Sequence, residues 1–361
     1  MALGPAAQVA GCGPAGLAAA ALLARDGWSV TLAGDPSPSP AGRLVTLNRG
    51  VADLITDLFG AATLSRAGGW TARRRLLDWD PAIGEVRIDE PTVMVEVHRL
   101  AEAMRSALAP ALTDAAGDRG APATPAIEAF GRAGMAPLLR SAPRTTVVWR
   151  DASGAVAAAL RAARTDTLVR ATRDGWVFAA DVPDGAAFAQ VSVPSCPAPM
   201  ERAAAVLSDA LGDPPAAADL PPPLPPIDTT PCLGCSLSPA GALKAGDAVL
   251  SMDPLSGDGI GSAMRSGILA AGVLVRRART PAETPMLHAH YDRRLLTAFG
   301  AHLDRCAEFY AASRLADTWR DAIKEMEREG ARIRELGARS GPDLYRNDAG
   351  VLHPRHRGGR Q

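Results

Sequence analysis

The sequence predicts an α/β protein: a nucleotide-binding domain interleaved with a smaller β-sheet domain and followed by a helical C-terminal region. Three observations carry this prediction. Residues 9–32 run strand, glycine turn, helix, strand; residues 70–97 and 165–195 mix β-branched and aromatic residues; and helical periodicity fills most of the last third.

The first of these segments is Val9-Ala10-Gly11-Cys12-Gly13-Pro14-Ala15-Gly16, with an alanine-rich stretch and then Ser29-Val30-Thr31-Leu32. Gly11-x-Gly13-x-x-Gly16 stands between strand and helix, the context that a Rossmann-like dinucleotide fingerprint requires. Gly11 permits the tight turn, Gly13 lets the backbone approach a pyrophosphate, and Gly16 lets the helix pack on the strand. Pro14 suits the first helical turn, whose N–H groups point at the ligand together with that of Ala15. The competing reading is an alanine-rich core helix after a chance glycine turn. Such folds place an acid at the end of the second strand to hold the ribose hydroxyls. Gly34 occupies that position, and Asp35, one residue later, is the candidate for the role.

Composition narrows the class. At 361 residues the chain has material for one large or two medium domains, and its formal net charge of zero gives no electrostatic case for nucleic acid or anionic lipid. No Lys or Arg precedes Arg25, so the basic start of a secretory signal is missing, and the apolar stretches are too interrupted for a membrane span. The expectation is a cytoplasmic protein. The five cysteines are scattered over the chain. Cys232-Leu-Gly-Cys235 lacks a second pair at metal-ligand spacing and reads as two ordinary thiols, so no metal site is expected.

Along the chain, a helix is expected over residues 48–59, strands over 70–97, and a helix from Arg99 to Leu108. Residues 109–143 have no sustained period and read as loop with short helical pieces, without a functional role. A strand over 145–150 ends in Asp151-Ala152-Ser153-Gly154 and a short helix; a β-rich region spans 167–193, and prolines crowd 214–231 as a connector. Helices are then expected over 264–279, 289–312 and 315–336, and a weakly ordered tail over 341–361.

A second strong motif is Gly246-Asp247 after an apolar strand, followed by Asp253-Pro254-Leu255-Ser256-Gly257-Asp258-Gly259-Ile260. A carboxylate accepts hydrogen bonds from a polyol, and a glycine turn at a helix start offers N–H groups to an electron-poor ring. Those are the needs of FAD.

On the glycine fingerprint, Asp151-Ala152-Ser153-Gly154 and the Gly246–Gly259 motif, in this order, the chain resembles the FAD-dependent monooxygenase and halogenase superfamily of the para-hydroxybenzoate hydroxylase fold. The resemblance implies that residues 1–69, 98–164 and 232–280 build the FAD-binding domain. Residues 70–97 and 165–231 would form the β-rich substrate domain, and 281–340 the C-terminal helices. It implies cofactor contacts from Gly11, Gly13 and Gly16, from Arg43 and Arg99, from Gly246 and Asp247, and from Pro254, Gly257, Gly259 and Ile260. Trp176 and Phe178 would wall the substrate cavity, although aromatic residues in a strand are also ordinary core. Asp253 and Asp258 are candidate catalytic residues; the competing reading for both is helix capping.

Halogenases of this group carry Trp-x-Trp-x-Ile-Pro and an early lysine. This chain has Trp176-Val177-Phe178 and no lysine before Lys244, which argues against halogenation. The pattern is most similar to flavoprotein maturases of tryptophylquinone enzymes. That likeness implies hydroxylation of an electron-rich aromatic ring, with a peptide or protein tryptophan as the candidate substrate, by molecular oxygen through a flavin C4a-hydroperoxide. A single dinucleotide fingerprint leaves NAD(P)H to bind transiently, or a separate flavin reductase to supply electrons. An FAD-dependent oxidase, dehydrogenase or reductase of a small molecule is the alternative, and a non-enzymatic flavoprotein a third.

Overall fold

The computed structural model describes residues 5–34, 43–112, 126–151, 154–183, 186–212, 221–314, 317–339, 344–346 and 352–354. Strand β1 (Ala6–Ala10), helix α1 (Pro14–Arg25) and strand β2 (Ser29–Ala33) follow the predicted order, and β1 pairs with β2 in parallel from Ala6 opposite Ser29 to Ala10 opposite Ala33. Two further parallel strands, β8 (Ile127–Glu128) and β16 (Leu243–Lys244), complete a four-stranded sheet in the order β16-β8-β1-β2.

Between β2 and β8 the chain lays down β3 (Leu44–Leu47), α2 (Arg49–Phe59), the single turn α3 (Thr63–Arg66), β4 (Trp70–Ala72), β5 (Arg75–Asp78), β6 (Glu85–Ile88), β7 (Thr92–Glu96) and α4 (Val97–Leu108). Asn48 caps α2 by accepting the Val51 N–H at 3.0 Å. Strands β3, β7 and β4 make a small antiparallel sheet in the order β3-β7-β4.

The larger sheet has seven strands. It takes β5 and β6 together with β10 (Arg144–Asp151), β11 (Thr167–Ala171), β12 (Trp176–Asp181), β13 (Ala187–Pro194) and the short β14 (Ile227–Asp228), in the order β14-β10-β13-β12-β11-β5-β6. Helices α5 (Ala155–Ala162) and α6 (Pro199–Leu211) bury Val156, Leu160, Val206 and Leu207 against its outer face. Helix α6 falls inside residues 165–231, the segment expected to form the β-rich domain. Its Pro199 start, its Ala-rich body and Gly212 in the left-handed conformation after it are the ordinary signals of a helix.

A second difference concerns β10. The strand, turn and helix around Asp151 form as expected, with Gly154 left-handed at φ 87°, yet β10 pairs with β13 over its whole length and so lies in the seven-stranded sheet. The place beside β1 is filled by β8, from the stretch read as loop. That stretch also gives β9 (Pro137–Arg140), which joins β15 (Cys232–Gly234) and β17 (Leu250–Ser251) in a three-stranded sheet. A two-residue strand buried between parallel neighbours shows neither alternation nor length, so periodicity does not reveal it.

Three long helices close the chain: α7 (Gly259–Arg279), α8 (Thr284–Ala312) and α9 (Arg320–Arg339). Among the described residues no helix is long and apolar enough to cross a membrane. In the tail, β18 (Leu344–Arg346) and β19 (Leu352–Pro354) pair antiparallel. Helix α7 lies on α1 so closely that a Cβ at Gly267 would stand 2.1 Å from the Ala15 carbonyl oxygen. Helix α8 threads Tyr291, Phe299, Leu303 and Tyr310 into the main core.

Where the seven-stranded sheet meets α8 and α9, a fully buried ion pair joins Arg144 of β10 to Asp253. The Asp253 N–H donates to His302 Nε2 at 2.8 Å, so the neutral ring carries its proton on Nδ1. Burial, reinforced by Arg144 and Arg305, pushes the His302 pKa down to about 3. Cys306 Sγ lies 3.5 Å from the same nitrogen, and burial holds its thiol protonated, with a pKa pushed up to about 11.

Two stability measurements check this packing. Gly267→Ala is expected to lose about 2–3 kcal/mol in urea unfolding, because its methyl meets backbone that cannot yield. Gly272→Ala on the same helix, whose Cβ position has no atom of the described residues within 4 Å beyond the helix's own backbone, is expected to gain up to about 1 kcal/mol. For His302, the unfolded ring takes a proton near pH 6.5 and the folded ring only near pH 3, so stability falls as pH falls across that window. His302→Gln is expected to flatten the slope of unfolding free energy against pH there by up to about 1.4 kcal/mol per unit.

Candidate cofactor and substrate site

The site begins at the C-terminal end of β1. The Gly11 N–H donates to the Ala33 carbonyl at 2.7 Å, tying the turn to β2, and Gly11 takes φ 121°, a conformation reserved in practice for glycine. A Cβ on Gly11 would lie 2.2 Å from the Ala129 carbonyl oxygen, and one on Gly16 would lie 2.0 Å from the Gly11 carbonyl oxygen. Both glycines are therefore demanded by packing. Gly13 differs: among the described residues beyond its chain neighbours, no atom lies within 4 Å of the position its Cβ would take. It opens onto free space at the start of α1, where Pro14 occupies the first turn and the N–H groups of Ala15 and Gly16 lack carbonyls four residues back. This geometry is a cradle for an anionic group.

Three charged side chains, Asp247, Arg43 and Arg132, act on one another electrostatically near the cradle. Gly246-Asp247 forms a 3₁₀ turn just after β16, and Gly246, at φ 62°, packs against Ala15, where a Cβ would come within 2.7 Å of the alanine methyl. Asp247 is reached by solvent but walled by protein, and desolvation pushes its carboxyl above the usual range against the attraction of Arg132 and Arg43. Burial pulls the Arg43 guanidinium below its ordinary value; Asp247 opposes that shift and Arg132 adds to it. Arg43 and Asp247 were legible in the sequence. Arg132 was not: it follows β8 in the 3₁₀ turn Gly131–Gly134, inside the segment that lacked a period. It is anchored by donating to the Thr230 carbonyl at 2.7 Å. A glycine turn directly after a short apolar stretch, Ile127 to Gly131, was the available signal.

The third part of the site is the turn before α7. Pro254–Ser256 is a 3₁₀ turn, and Gly257 follows in the left-handed conformation at φ 59°. Ser256, Gly257 and Gly259 are exposed, while Pro254 and Ile260 are half-buried. A Cβ at Gly257 would lie 3.8 Å from Thr46 Oγ1, which puts β3 alongside the turn. Glycine 261 packs against Val51 of α2, so the start of α7 is fixed from below.

The two candidate catalytic aspartates divide. Asp258 precedes α7 without a capping hydrogen bond and pairs with Arg265 at the surface. Asp253 is turned inward: its Oδ1 accepts the Leu255 N–H at 2.9 Å, which makes it a cap, and its Oδ2 meets Arg144 and the Tyr310 hydroxyl. It has no open face toward a substrate. Trp176 is likewise sealed, donating from Nε1 to the Tyr310 hydroxyl at 3.1 Å and meeting Trp79 edge-on at 6.2 Å. Phe178 is half-buried against Phe188. Asp35 lies outside the described residues. Gly34 takes φ 119° beside Gly11, and its carbonyl is 3.8 Å from Cys12 Sγ.

Arg99, exposed at the start of α4, does not join the Asp247 group. With Trp70, Glu96, Val182 and Pro183 it lines a cavity of about 140 Å³ between the small sheet and the end of β12. Glu96 is buried there and accepts from Arg150 at 2.7 Å. Cys232 is buried and Cys235 exposed, both as free thiols.

The groups around the cradle fit FAD: open space at Gly13, backbone N–H groups and two arginines for a diphosphate, a desolvated carboxylate for hydroxyl groups, and a glycine turn for a planar ring.

No protein-family model and no curated protein sequence matches the chain. Solved structures do. A peptidyl tryptophan dihydroxylase, QhpG, essential for tryptophylquinone cofactor biogenesis, aligns with 97% of this chain and 86% of its own at 20% identity, with a TM-score of 0.72. The flavin-dependent halogenase CmlS aligns with 86% of this chain and 65% of its own at 17% identity and TM-score 0.65. HpxO of Klebsiella pneumoniae, solved with FAD and uric acid, aligns with 92% and 97% at 15% identity and TM-score 0.59. The chain therefore has the fold seen in flavin-dependent hydroxylases and halogenases.

Proposed function

We propose that this chain is an FAD-dependent monooxygenase that hydroxylates an electron-rich aromatic ring, with a tryptophan side chain of a peptide or protein as the substrate. The carrying observation is the meeting of the α1 cradle with Asp247, Arg43 and Arg132, four pieces drawn from distant parts of the chain. The likeness to QhpG over 97% of the chain supports the finer assignment.

In this reading Ala15 and Gly16 donate N–H groups to the diphosphate, and Arg43 and Arg132 balance its charge. Asp247 accepts from sugar and ribityl hydroxyls. The turn 254–259 and β3 bracket the ring, with the N-terminus of α7 directed at it. Bound FAD supplies the redox chemistry with dioxygen, fed by NAD(P)H or by a separate flavin reductase. The protein's share is to orient the target ring and keep water out, and the cavity at Trp70, Glu96 and Arg99, on the same small sheet as Thr46, offers an aromatic wall and fixed charges for that purpose.

Reconstitution with FAD is expected to give a yellow protein, and colourless protein overturns the reading. Asp247→Asn is expected to weaken FAD by about 2 kcal/mol, roughly thirtyfold in Kd, the contribution of a charge-assisted hydrogen bond. Supplied with a reductant, isotopically labelled dioxygen and a tryptophan-containing peptide, the enzyme is expected to place labelled oxygen on the indole, read by mass spectrometry. Peptide oxidised without label, or flavin bleached directly by an amine or alcohol, would instead identify an oxidase or dehydrogenase.

A further inference from the structure

We propose that Arg144, Tyr310 and His302 are positioning residues that hold the flavin-facing turn from behind, through Asp253. The inference rests on the reading of residues 254–259 as the flavin turn.

The turn closes on itself through the Ser256 N–H on the Asp253 carbonyl at 3.2 Å and the Gly257 N–H on the Pro254 carbonyl at 3.0 Å, but its apex faces solvent. Ser256, Gly257 and Gly259 are exposed, and Gly257 sits in a conformation that relies on its missing side chain. Asp253, the residue before it, is the opposite: it is 1% exposed, and each of its polar groups is engaged. Its N–H donates to His302 Nε2 at 2.8 Å, its carbonyl accepts from Ser256 Oγ at 2.9 Å, and Oδ1 accepts the Leu255 N–H. Its Oδ2 accepts from the Tyr310 hydroxyl at 3.0 Å and pairs with Arg144. Two of these bonds shape the turn and the others tie it to the protein interior.

The tie joins the seven-stranded sheet to the C-terminal helices. Arg144 comes from the seven-stranded sheet, His302 and Tyr310 lie two turns apart on α8, and Trp319 stacks on Tyr310 with ring centroids 4.5 Å apart at 8°. The Arg144 guanidinium lies 4.9 Å from the Trp319 ring centre and 5.3 Å from that of Tyr310, so aromatic faces share its charge with Asp253. Trp176 of β12 donates to the Tyr310 hydroxyl, fixing which way that hydroxyl points its own proton: toward Asp253. A buried ion pair of this kind contributes little stability over an apolar substitute, but it fixes geometry, because each partner has one satisfied arrangement.

The test uses the full chain with and without FAD. Tyr310→Phe removes one hydroxyl and keeps the stack on Trp319; His302→Leu removes the acceptor of the Asp253 N–H, and His302→Gln restores an acceptor. In the FAD-free protein, hydrogen exchange of residues 253–258 is expected to rise about tenfold in Tyr310→Phe and His302→Leu, the value of one lost hydrogen bond, while helix α1 stays unchanged. With FAD, both variants are expected to bind about tenfold more weakly and to shift the flavin absorption bands, and His302→Gln to recover both. Folded variants whose turn exchanges at the wild-type rate, or whose exchange rises equally throughout the chain, overturn the proposal. Failure of the wild type to take up FAD overturns the proposed function instead, and exchange at the turn still decides whether these residues hold it.

Discussion

Backbone contact without side chains is the constraint on which this molecule depends. At the end of β1 the Gly11 carbonyl, the Ala129 carbonyl and the first turn of α1 approach to distances at which no Cβ fits, and on the far side α7 reaches the Ala15 carbonyl at Gly267. Three segments, roughly a hundred residues apart along the chain, thus share one small volume. Because only backbone and the methyls of Ala15 and Ala129 crowd it, no larger side chain covers the first turn of α1, whose N–H groups have no intrahelical acceptor. The charged residues take their places only around this contact: Asp247 follows Gly246, which is pressed on Ala15, and Arg132 follows Ala129, which is pressed on Gly11.

Net neutrality hides two arginine–aspartate groups with opposite surroundings. Around Asp247 the two arginines act on a carboxylate that solvent reaches, and desolvation pushes the Asp247 carboxyl up and the Arg43 guanidinium down. The chemistry of such a group suits a ligand carrying both negative charge and hydroxyls. Around Asp253 the arginine is sealed, flanked by two aromatic rings, and every donor and acceptor of the aspartate is used. The first arrangement is open to solvent; the second is sealed, with its donors and acceptors used inside the protein.

Much of this was readable in the residues. The glycines, α1, α7 and Asp247 announce themselves because their signals are local: a turn needs glycine at a fixed offset, and a helix repeats its apolar face. The failures share one cause, which is that pairing is not local. The strand ending at Asp151 is a real strand with a real glycine turn, but nothing within it says that β13 is its partner. Strand β8 has two residues, and only its neighbours β1 and β16 make it a strand, so Arg132 went unread with it. Asp253 and Trp176 carry the right chemistry for a site, and their direction is decided by Arg144 and Tyr310, which lie far off in sequence.

The reach of Trp79 across the chain has a consequence in time. Its indole N–H donates to the Phe309 carbonyl at 2.6 Å, a closure of 230 residues, and its ring packs on Trp176 and Tyr310 beside the ion pair. During synthesis β1, α1 and β2 emerge early and can pair with one another, but α7 is needed to cover α1, and Tyr310 and Trp319 are needed to seal Arg144. Contacts of such separation are late and slow to form. Until α7 and α8 have been made, the alanine face of α1 and the Arg144 side chain therefore lack the partners that cover them in the finished fold.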